Sequence, residues 1–280
     1  MNNSDNQEST EEAKDFKKFY IFTGKGGVGK TTLALSFCEY LKKHNQDYIY
    51  VYFKHENQKS ASHVDSLISE IGINGMSLQL LKCAETYIAK KLKSKTVASW
   101  IIKTPFFTSL ISMIPGFSYV IYLGQLLEIL IDEPKKIIVL DSPSSGHALT
   151  MLESTKNFNQ IFQDGIIYQD TNLMLDTMKK PNFTKINIVT IPTQLAINES
   201  LELKTKIQEL EDYDVEILCN NSLMEYSSSN LPASLKSKVE NEKIAISSES
   251  KEIQTIINYS TQERSATIIK DLVPSLENLV

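Results

Sequence analysis

The sequence predicts an α/β fold in which a mostly parallel sheet is flanked by helices. Two observations lead to this fold class. Short apolar runs recur along the chain with helical patterns between them, and a glycine-rich loop joins the first run to the first helical pattern. Strands that alternate with helices form βαβ units, whose parallel strands are covered on both faces. The 280 residues are enough for one such domain with a helical insertion.

Six apolar runs are predicted as strands, at residues 19–23, 48–53, 136–140, 186–191, 215–219 and 243–246. The stretch between the second and third runs is too long for one crossover, so about 64–131 is predicted as a mostly helical, apolar subdomain, together with 150–180. Residues 251–280 predict one or two closing helices, with Pro274 starting or interrupting the last. Residues 1–15 are polar and acidic and predict a disordered tail before a single domain at 16–280.

Residues 104–127 contain no charged side chain, and 24 such residues are long enough to span a bilayer. Pro105 and the Pro115-Gly116 pair interrupt this segment, and it lies between two strands of one predicted sheet. No transmembrane segment is therefore expected. Two interpretations stay open: a buried pair of core helices, or a semi-exposed apolar surface that receives a hydrophobic partner.

Composition narrows the class of protein and its compartment. The net charge of −5 argues against a nucleic-acid-binding surface. Residues 1–15 lack the apolar core of a secretory signal. The cysteines are isolated and form no CxxC pair, so neither a disulfide framework nor a zinc clamp within one chain is expected; they are Cys38, Cys83 and Cys219. These features indicate a reducing cytoplasm.

The glycine-rich loop follows the Walker A pattern of phosphate-binding loops. It comes after the apolar run at 19–23 and before a helical pattern at 32–41, which is the context in which such a loop binds phosphates. Loop amides and the helix N-terminus would surround the phosphates, Lys30 would reach the β- and γ-phosphates, and the Thr31 hydroxyl would bind Mg²⁺. The predicted ATP-binding residues are Gly24, Lys25, Gly26, Gly27, Val28, Gly29, Lys30, Thr31 and Thr32.

Lys25 is a second lysine inside the loop, which ordinary Walker A loops do not require. It makes the loop resemble the deviant Walker A loop of MinD, the ParA partition ATPases, nitrogenase iron protein and the ArsA/Get3 ATPases. In those proteins this lysine reaches across a nucleotide-sandwich dimer to the partner's phosphates. The resemblance therefore implies a dimer in which Lys25 supplies charge in trans, as an arginine finger does.

Asp141 ends the third apolar run in the manner of a Walker B strand, where a carboxylate holds the Mg²⁺ shell. The residues that follow, through Gly146 and His147, resemble the switch II signature Asp-x-Ala-Pro-Thr-Gly-His of the ArsA/Get3 (TRC40) family, with the same spacing. The chain looks like a short, divergent, bacterial member of that family. The resemblance implies that the Gly146 N–H senses the γ-phosphate. It also implies that Asn220, at the end of another strand, contacts adenine, although an Asn in a turn is the alternative.

The chain departs from the family after its second strand. The family has an Asp there that orients the attacking water, and Lys54 stands at that position. Glu56 is close enough in sequence to substitute as a catalytic carboxylate, although a surface glutamate is the alternative. Nucleotide binding is thus better supported than hydrolysis.

The resemblance implies a cytoplasmic ATPase that uses ATP and Mg²⁺ as a homodimer, or as a heterodimer with another ArsA-like chain. Its nucleotide-driven change of shape would control the binding of a hydrophobic client, such as a membrane-protein helix. A regulatory subunit without turnover is the main alternative. A MinD/ParA-like positioning ATPase is a further one, disfavoured because the C-terminus has no strongly basic amphipathic stripe and no basic patch suits DNA.

Overall fold

The computed structural model describes residues 15–54, 59–143, 145–226 and 231–280. Seven strands of this part of the chain form one sheet in the order β3-β2-β4-β1-β5-β6-β7, and all neighbouring strands are parallel. The predicted α/β class with a parallel sheet is confirmed. The strands are β1 Phe19–Thr23, β2 Tyr48–Phe53, β3 Gly75–Leu78, β4 Ile137–Asp141, β5 Thr184–Thr190, β6 Asp214–Ser222 and β7 Ile253–Asn258.

Helices cover both faces of this sheet. A 3₁₀ helix at Val273–Leu279 closes the chain, with Pro274 in its first turn. The α-helices in the described residues are α1 Lys30–Lys43, α2 Lys59–Ile71, α3 Leu80–Leu92, α4 Lys95–Ile102, α5 Pro105–Met113, α6 Phe117–Asp132, α7 Ser145–Ile161, α8 Gly165–Met178, α9 Gln194–Leu210, α10 Ala233–Ser248 and α11 Ser265–Asp271.

The core has two layers because successive strand residues point to opposite faces of the sheet. In β1, Tyr20 and Phe22 pack with α1, α2, α11 and the closing 3₁₀ helix. Phe19 and Ile21 point the other way, toward the core formed with α3 to α10. β1 therefore contributes to both layers from the middle of the sheet, and the loop after it starts at the carboxyl edge, where ligands of open α/β sheets bind.

Two predictions near the C-terminus are wrong. Residues 243–246 were predicted as a strand but lie within α10, because the short apolar run belongs to a helical stripe that also buries Val239 and Glu242. The last strand is instead β7, within the segment predicted as helical. β7 lies at one end of the sheet and alternates buried residues with exposed or partly buried ones at a period of two.

The long segment after β2 is helical as predicted, except for the short strand β3. Its apolar part forms two helices, α5 and α6, which meet at the predicted Pro115-Gly116 break. Gly116 has φ +81°, and a Cβ there would lie 1.9 Å from Ser154 Oγ, so a side chain cannot be accommodated. α6 is largely buried, whereas α5 exposes Phe106 and Met113, so the segment is neither a fully buried helix pair nor uniformly exposed. No helix in the described residues is long and apolar enough to cross a membrane.

Candidate functional site

The glycine-rich loop connects β1 to α1 at the carboxyl edge of the sheet. Gly24 has φ +139°, and a Cβ there would lie 2.1 Å from the Val189 carbonyl oxygen of β5. Gly29 has φ +97°, and its Cβ would lie 2.3 Å from Asn220 Nδ2. Both positions require glycine because the loop touches the ends of β5 and β6. A Cβ on Gly26 or Gly27 would meet open space, so that side of the loop is free to face a ligand.

The two lysines of the loop are held by the chain itself. Lys30 Nζ donates a hydrogen bond of 2.7 Å to the Lys25 carbonyl oxygen. Burial lowers the pKa of Lys30, and the nearby Asp141 carboxylate opposes that shift. Lys25 Nζ forms an ion pair with Glu199 Oε1 of α9, whereas Glu199 Oε2 is buried with no hydrogen-bond partner. Each lysine therefore directs its charge at an oxygen atom of the chain itself.

Asp141 lies beside the first turn of α1. Thr31 Oγ1 donates a 2.6 Å hydrogen bond to Asp141 Oδ2, which joins residues 110 positions apart in sequence. Burial raises the pKa of Asp141, and the hydrogen bonds from Thr31 and Tyr50 and the charge of Lys30 oppose that rise. A hydroxyl has one hydrogen and two lone pairs, so Thr31 can donate to Asp141 and still bind a cation.

These two oxygens fit Mg²⁺, a hard cation that prefers oxygen ligands. Among the residues that the structure describes, no cluster of three or more His, Cys, Asp or Glu side chains could hold a metal ion. A Mg²⁺ at Thr31 and Asp141 would thus take its other ligands from water and phosphate, which is how Mg²⁺ is usually bound with nucleotides.

Tyr50 is a site residue that the sequence analysis missed. It lies in β2, which pairs with β4, and its hydroxyl donates a 2.8 Å hydrogen bond to Asp141 Oδ2. The ring is fully buried, and burial and the neighbouring carboxylate raise the pKa of the phenol, so the hydroxyl remains a donor. A buried phenol needs a partner, but only the order of the strands shows which one it has.

Asn220 lies at the end of β6 against the glycine-rich loop. Its Nδ2 donates a 2.9 Å hydrogen bond to the Val28 carbonyl oxygen, and its Oδ1 is buried without a partner. The side chain therefore fixes the loop and leaves one acceptor open. Thr32 lies in the first turn of α1, where its carbonyl accepts a hydrogen bond from Ser36.

The segment after β4 runs from the site toward the helical layer. Ser142 N donates to the Phe22 carbonyl, which continues the pairing of β4 with β1. Ser144 lies outside the described residues, and α7 begins at the next residue. Gly146 is exposed and its surroundings are open, while His147 Nδ1 is hydrogen-bonded to the Tyr119 hydroxyl of α6. This bond connects the predicted γ-phosphate sensor to the helices above the sheet.

The end of β2 is tied to α2. Lys54 Nζ lies 3.0 Å from Asp65 Oδ2, and the Tyr52 hydroxyl donates to Asp65 Oδ1. These two hydrogen bonds, that of Tyr52 first, lower the pKa of Asp65. Lys54 thus pairs with a carboxylate of the neighbouring helix. Glu56, the predicted catalytic carboxylate, lies outside the described residues.

A separate cavity of about 260 Å³ lies between α3, α6 and α8. Apolar side chains form part of its wall, including Ile131 and Leu173, which are half exposed. A network of charges closes it on another side: Lys91 contacts Glu128 and Asp170. The cavity therefore combines an apolar wall with groups that hold the three helices together.

A family model described as Nephrocystin 3, N-terminal, matches residues 2–119, which include the glycine-rich loop. The match covers less than half of the chain and ends before Asp141 and Asn220. No curated protein matches the chain.

Proposed function

We propose that this chain binds ATP and Mg²⁺ at the glycine-rich loop and hydrolyses ATP as an ArsA/Get3-like dimer in the cytoplasm. The observation that carries the proposal is the hydrogen bond of 2.6 Å between Thr31 and Asp141. It brings the Walker A hydroxyl and the carboxylate at the end of β4 to one point, beside the Lys30 ammonium group. Phosphoryl transfer requires little more from a protein than positioned charge and a bound metal.

Each residue of the site has a defined role in this proposal. The loop amides and Lys30 bind the phosphates, so Lys30 leaves the carbonyl of Lys25 when ATP enters. Thr31 and Asp141 position Mg²⁺, which neutralises charge on the β- and γ-phosphates when it is bound. Gly146, whose surroundings are open, donates its N–H to the γ-phosphate. Asn220 supplies its unpartnered Oδ1 to the adenine amino group.

Dimerisation is proposed to require Lys25 to change partners. In the single chain its charge is directed at Glu199. In a nucleotide-sandwich dimer it would reach the phosphates bound by the second chain, a homologue or an identical copy. The Lys25–Glu199 pair is half exposed, and such pairs contribute little stability, so phosphates are able to compete for the lysine.

The helical layer is proposed to respond to the nucleotide through His147. A shift of Gly146 toward a γ-phosphate would pull His147 against Tyr119 and so move α6. Because α6 lines the cavity of about 260 Å³, its movement would change the apolar wall that includes Ile131 and Leu173. Apolar side chains of a hydrophobic client, such as a helix of a membrane protein, would bind against this wall in one nucleotide state.

The test is ATP turnover by the purified protein with Mg²⁺, compared with Lys30→Ala and Lys25→Ala. We expect both variants to lose turnover and Lys25→Ala to keep ATP binding, because its role is in the dimer. Lys43→Ala, at the exposed end of α1, is the control and should match the wild type. Unchanged turnover by Lys30→Ala would contradict the proposed site.

A second candidate function is a nucleotide-binding regulatory subunit with no turnover of its own. The observation that favours it is the Lys54–Asp65 pair. Lys54, the residue after β2, stands where the ArsA/Get3 family that the chain resembles has a catalytic carboxylate. Bound ATP without turnover by the wild type would support this alternative. Loss of turnover in Glu56→Gln with retained ATP binding would instead support Glu56 as the catalytic carboxylate.

A further inference from the structure

Two consecutive helices, α4 and α5, expose large apolar side chains to solvent. Trp100 and Phe106 are 70% and 74% exposed, Met113 is 78% exposed and Val97 is 44% exposed. Val97 and Trp100 are three residues apart on α4, opposite the buried stripe of Ala98 and Ile102. Phe106 and Met113 are seven residues apart and so lie on one face of α5. We call these four side chains, with Lys93, Lys95 and Lys103, the α4–α5 surface.

The same part of the chain is strongly basic. Residues 86–127 contain five lysines and no Asp or Glu, a net charge of +5 in a chain whose total is −5. Three of these lysines, Lys93, Lys95 and Lys103, are exposed, and none of them is in an ion pair with an acidic side chain that the structure describes. Lys90 and Lys91 are paired with acidic side chains, so the excess positive charge near the exposed apolar side chains comes from these three lysines.

We propose that the α4–α5 surface docks on an anionic lipid bilayer. A tryptophan and a phenylalanine beside lysines are the side chains that bind at the membrane–water interface, where the rings enter the boundary of the acyl chains and the ammonium groups contact anionic headgroups. Each lysine near such a surface adds an attraction that falls off within the Debye length. The protein would thus lie on the membrane through two short helices.

Two other occupants fit these observations less well. An apolar partner helix binds in a groove, whereas none of the four apolar side chains lines the cavities described by the structure. A second copy of the chain would bring two uncompensated positive surfaces together, and like charges in an interface oppose association. An anionic bilayer offers both the opposite charge and an apolar layer that needs no matching shape.

This inference goes beyond the proposed ATPase and does not depend on it. The α4–α5 surface shares no residue with the glycine-rich loop, Asp141 or Asn220. Vesicle binding is measured without nucleotide, and ATP turnover is measured without vesicles. Failure of one therefore leaves the other unaffected.

The sequence supplies a reporter for the test, because Trp100 is the single tryptophan of the chain. Its fluorescence is recorded as vesicles of phosphatidylcholine, with or without phosphatidylserine, are added to the full chain. We expect a shift to shorter wavelength with the anionic vesicles, little change with the neutral ones, and reversal as salt is added. The emission shift reports this surface alone, and co-sedimentation with the vesicles confirms binding.

Matched variants separate the two contributions. Phe106→Ser should weaken vesicle binding about tenfold through lost apolar contact, whereas Leu195→Ser, at a residue 69% exposed on α9, should leave it unchanged. Lys95→Gln with Lys103→Gln should weaken binding about fivefold for each lysine removed. The control for charge is Lys236→Gln with Lys238→Gln, two exposed lysines of α10.

Four results would overturn the proposal. The first is absence of binding to anionic vesicles, and the second is equal binding to both vesicle compositions. The third is an equal loss of vesicle binding in the Phe106→Ser and Leu195→Ser proteins. The fourth is an emission shift that vesicles do not produce but a second copy of the chain or an apolar helix does. A shift that grows with protein concentration in the absence of vesicles would assign the surface to a second copy. A shift produced by an apolar helical peptide, but not by vesicles, would assign it to a partner helix.

Discussion

Replacing Tyr50 by Phe removes one hydroxyl from the candidate site and retains the ring that packs in the core. The lost hydrogen bond is 2.8 Å long and reaches Asp141 Oδ2, which among the described residues keeps the bond from Thr31. Hydrogen bonds to charged groups contribute about 1.5–3 kcal/mol, so we expect the free energy of unfolding to fall by about 2 kcal/mol at neutral pH. Tyr20→Phe is the matched control, since Tyr20 is equally buried but accepts its hydrogen bond from the Lys17 backbone N–H, a contribution of about 1 kcal/mol.

The pH dependence distinguishes this effect from a packing defect. Burial raises the pKa of Asp141, and the hydrogen bond from Tyr50 opposes that rise, so Tyr50→Phe should raise the pKa further. A carboxyl group whose pKa is raised in the folded state favours folding at low pH and loses that contribution as the pH passes its folded-state pKa. Wild type and variant should therefore differ least where Asp141 is protonated in both, and most above the raised pKa of the variant.

Urea unfolding of the wild type, Tyr50→Phe and Tyr20→Phe proteins over a range of pH measures this difference. A loss of stability for Tyr50→Phe that stays constant with pH would refute the reasoning, and so would an equal pH dependence for Tyr20→Phe. If the site binds Mg²⁺ as proposed, Tyr50→Phe should also raise the Mg²⁺ concentration needed for half-maximal nucleotide binding, because Asp141 loses one of the groups that orient it.

Three further predictions concern the loop and the cysteines. Gly29→Ala should lower the free energy of unfolding, measured by urea denaturation, by about 1–3 kcal/mol, because Gly29 has a positive φ and a Cβ there would meet Asn220. Gly26→Ala is the control and should lower it by about 1 kcal/mol or less, because a Cβ there meets open space. Glu199→Gln should change the free energy of unfolding by less than about 1 kcal/mol, because the Lys25–Glu199 pair is half exposed. It should increase ATP turnover at limiting protein concentration, because Lys25 is then free to reach phosphate. A decrease in turnover would contradict the competition between Glu199 and phosphate for Lys25. The three cysteines, Cys38, Cys83 and Cys219, are buried, and burial raises the pKa of each thiol, that of Cys219 to about 12. A thiol reagent should therefore label the protein no faster than the structure opens to expose them. Rapid labelling of the native protein would contradict this expectation.

Features that depend on neighbouring residues in the chain were accessible from the sequence. The glycine-rich loop, the strand before it and the helix after it all lie within 19–43, where glycine spacing and apolar periodicity report local structure. The break at Pro115-Gly116 and the strand that ends in Asp141 were predicted for the same reason. The strand predicted at 243–246 was wrong because a short apolar run fits a strand and a helix equally well, and only packing against the rest of the protein decides between them.

The sequence by itself determined the glycine-rich loop, the α/β class and the candidate residues of the proposed nucleotide site, because these follow from short-range spacing. The tertiary structure decided which of them meet. Only the order of the strands brings the hydroxyls of Thr31 and Tyr50 to one carboxylate oxygen of Asp141. Only the docking of α9 brings Glu199 to Lys25, 174 residues away in sequence. Such pairings depend on how distant strands and helices pack around the two faces of the sheet, and the periodicity of a single segment carries no information about that arrangement.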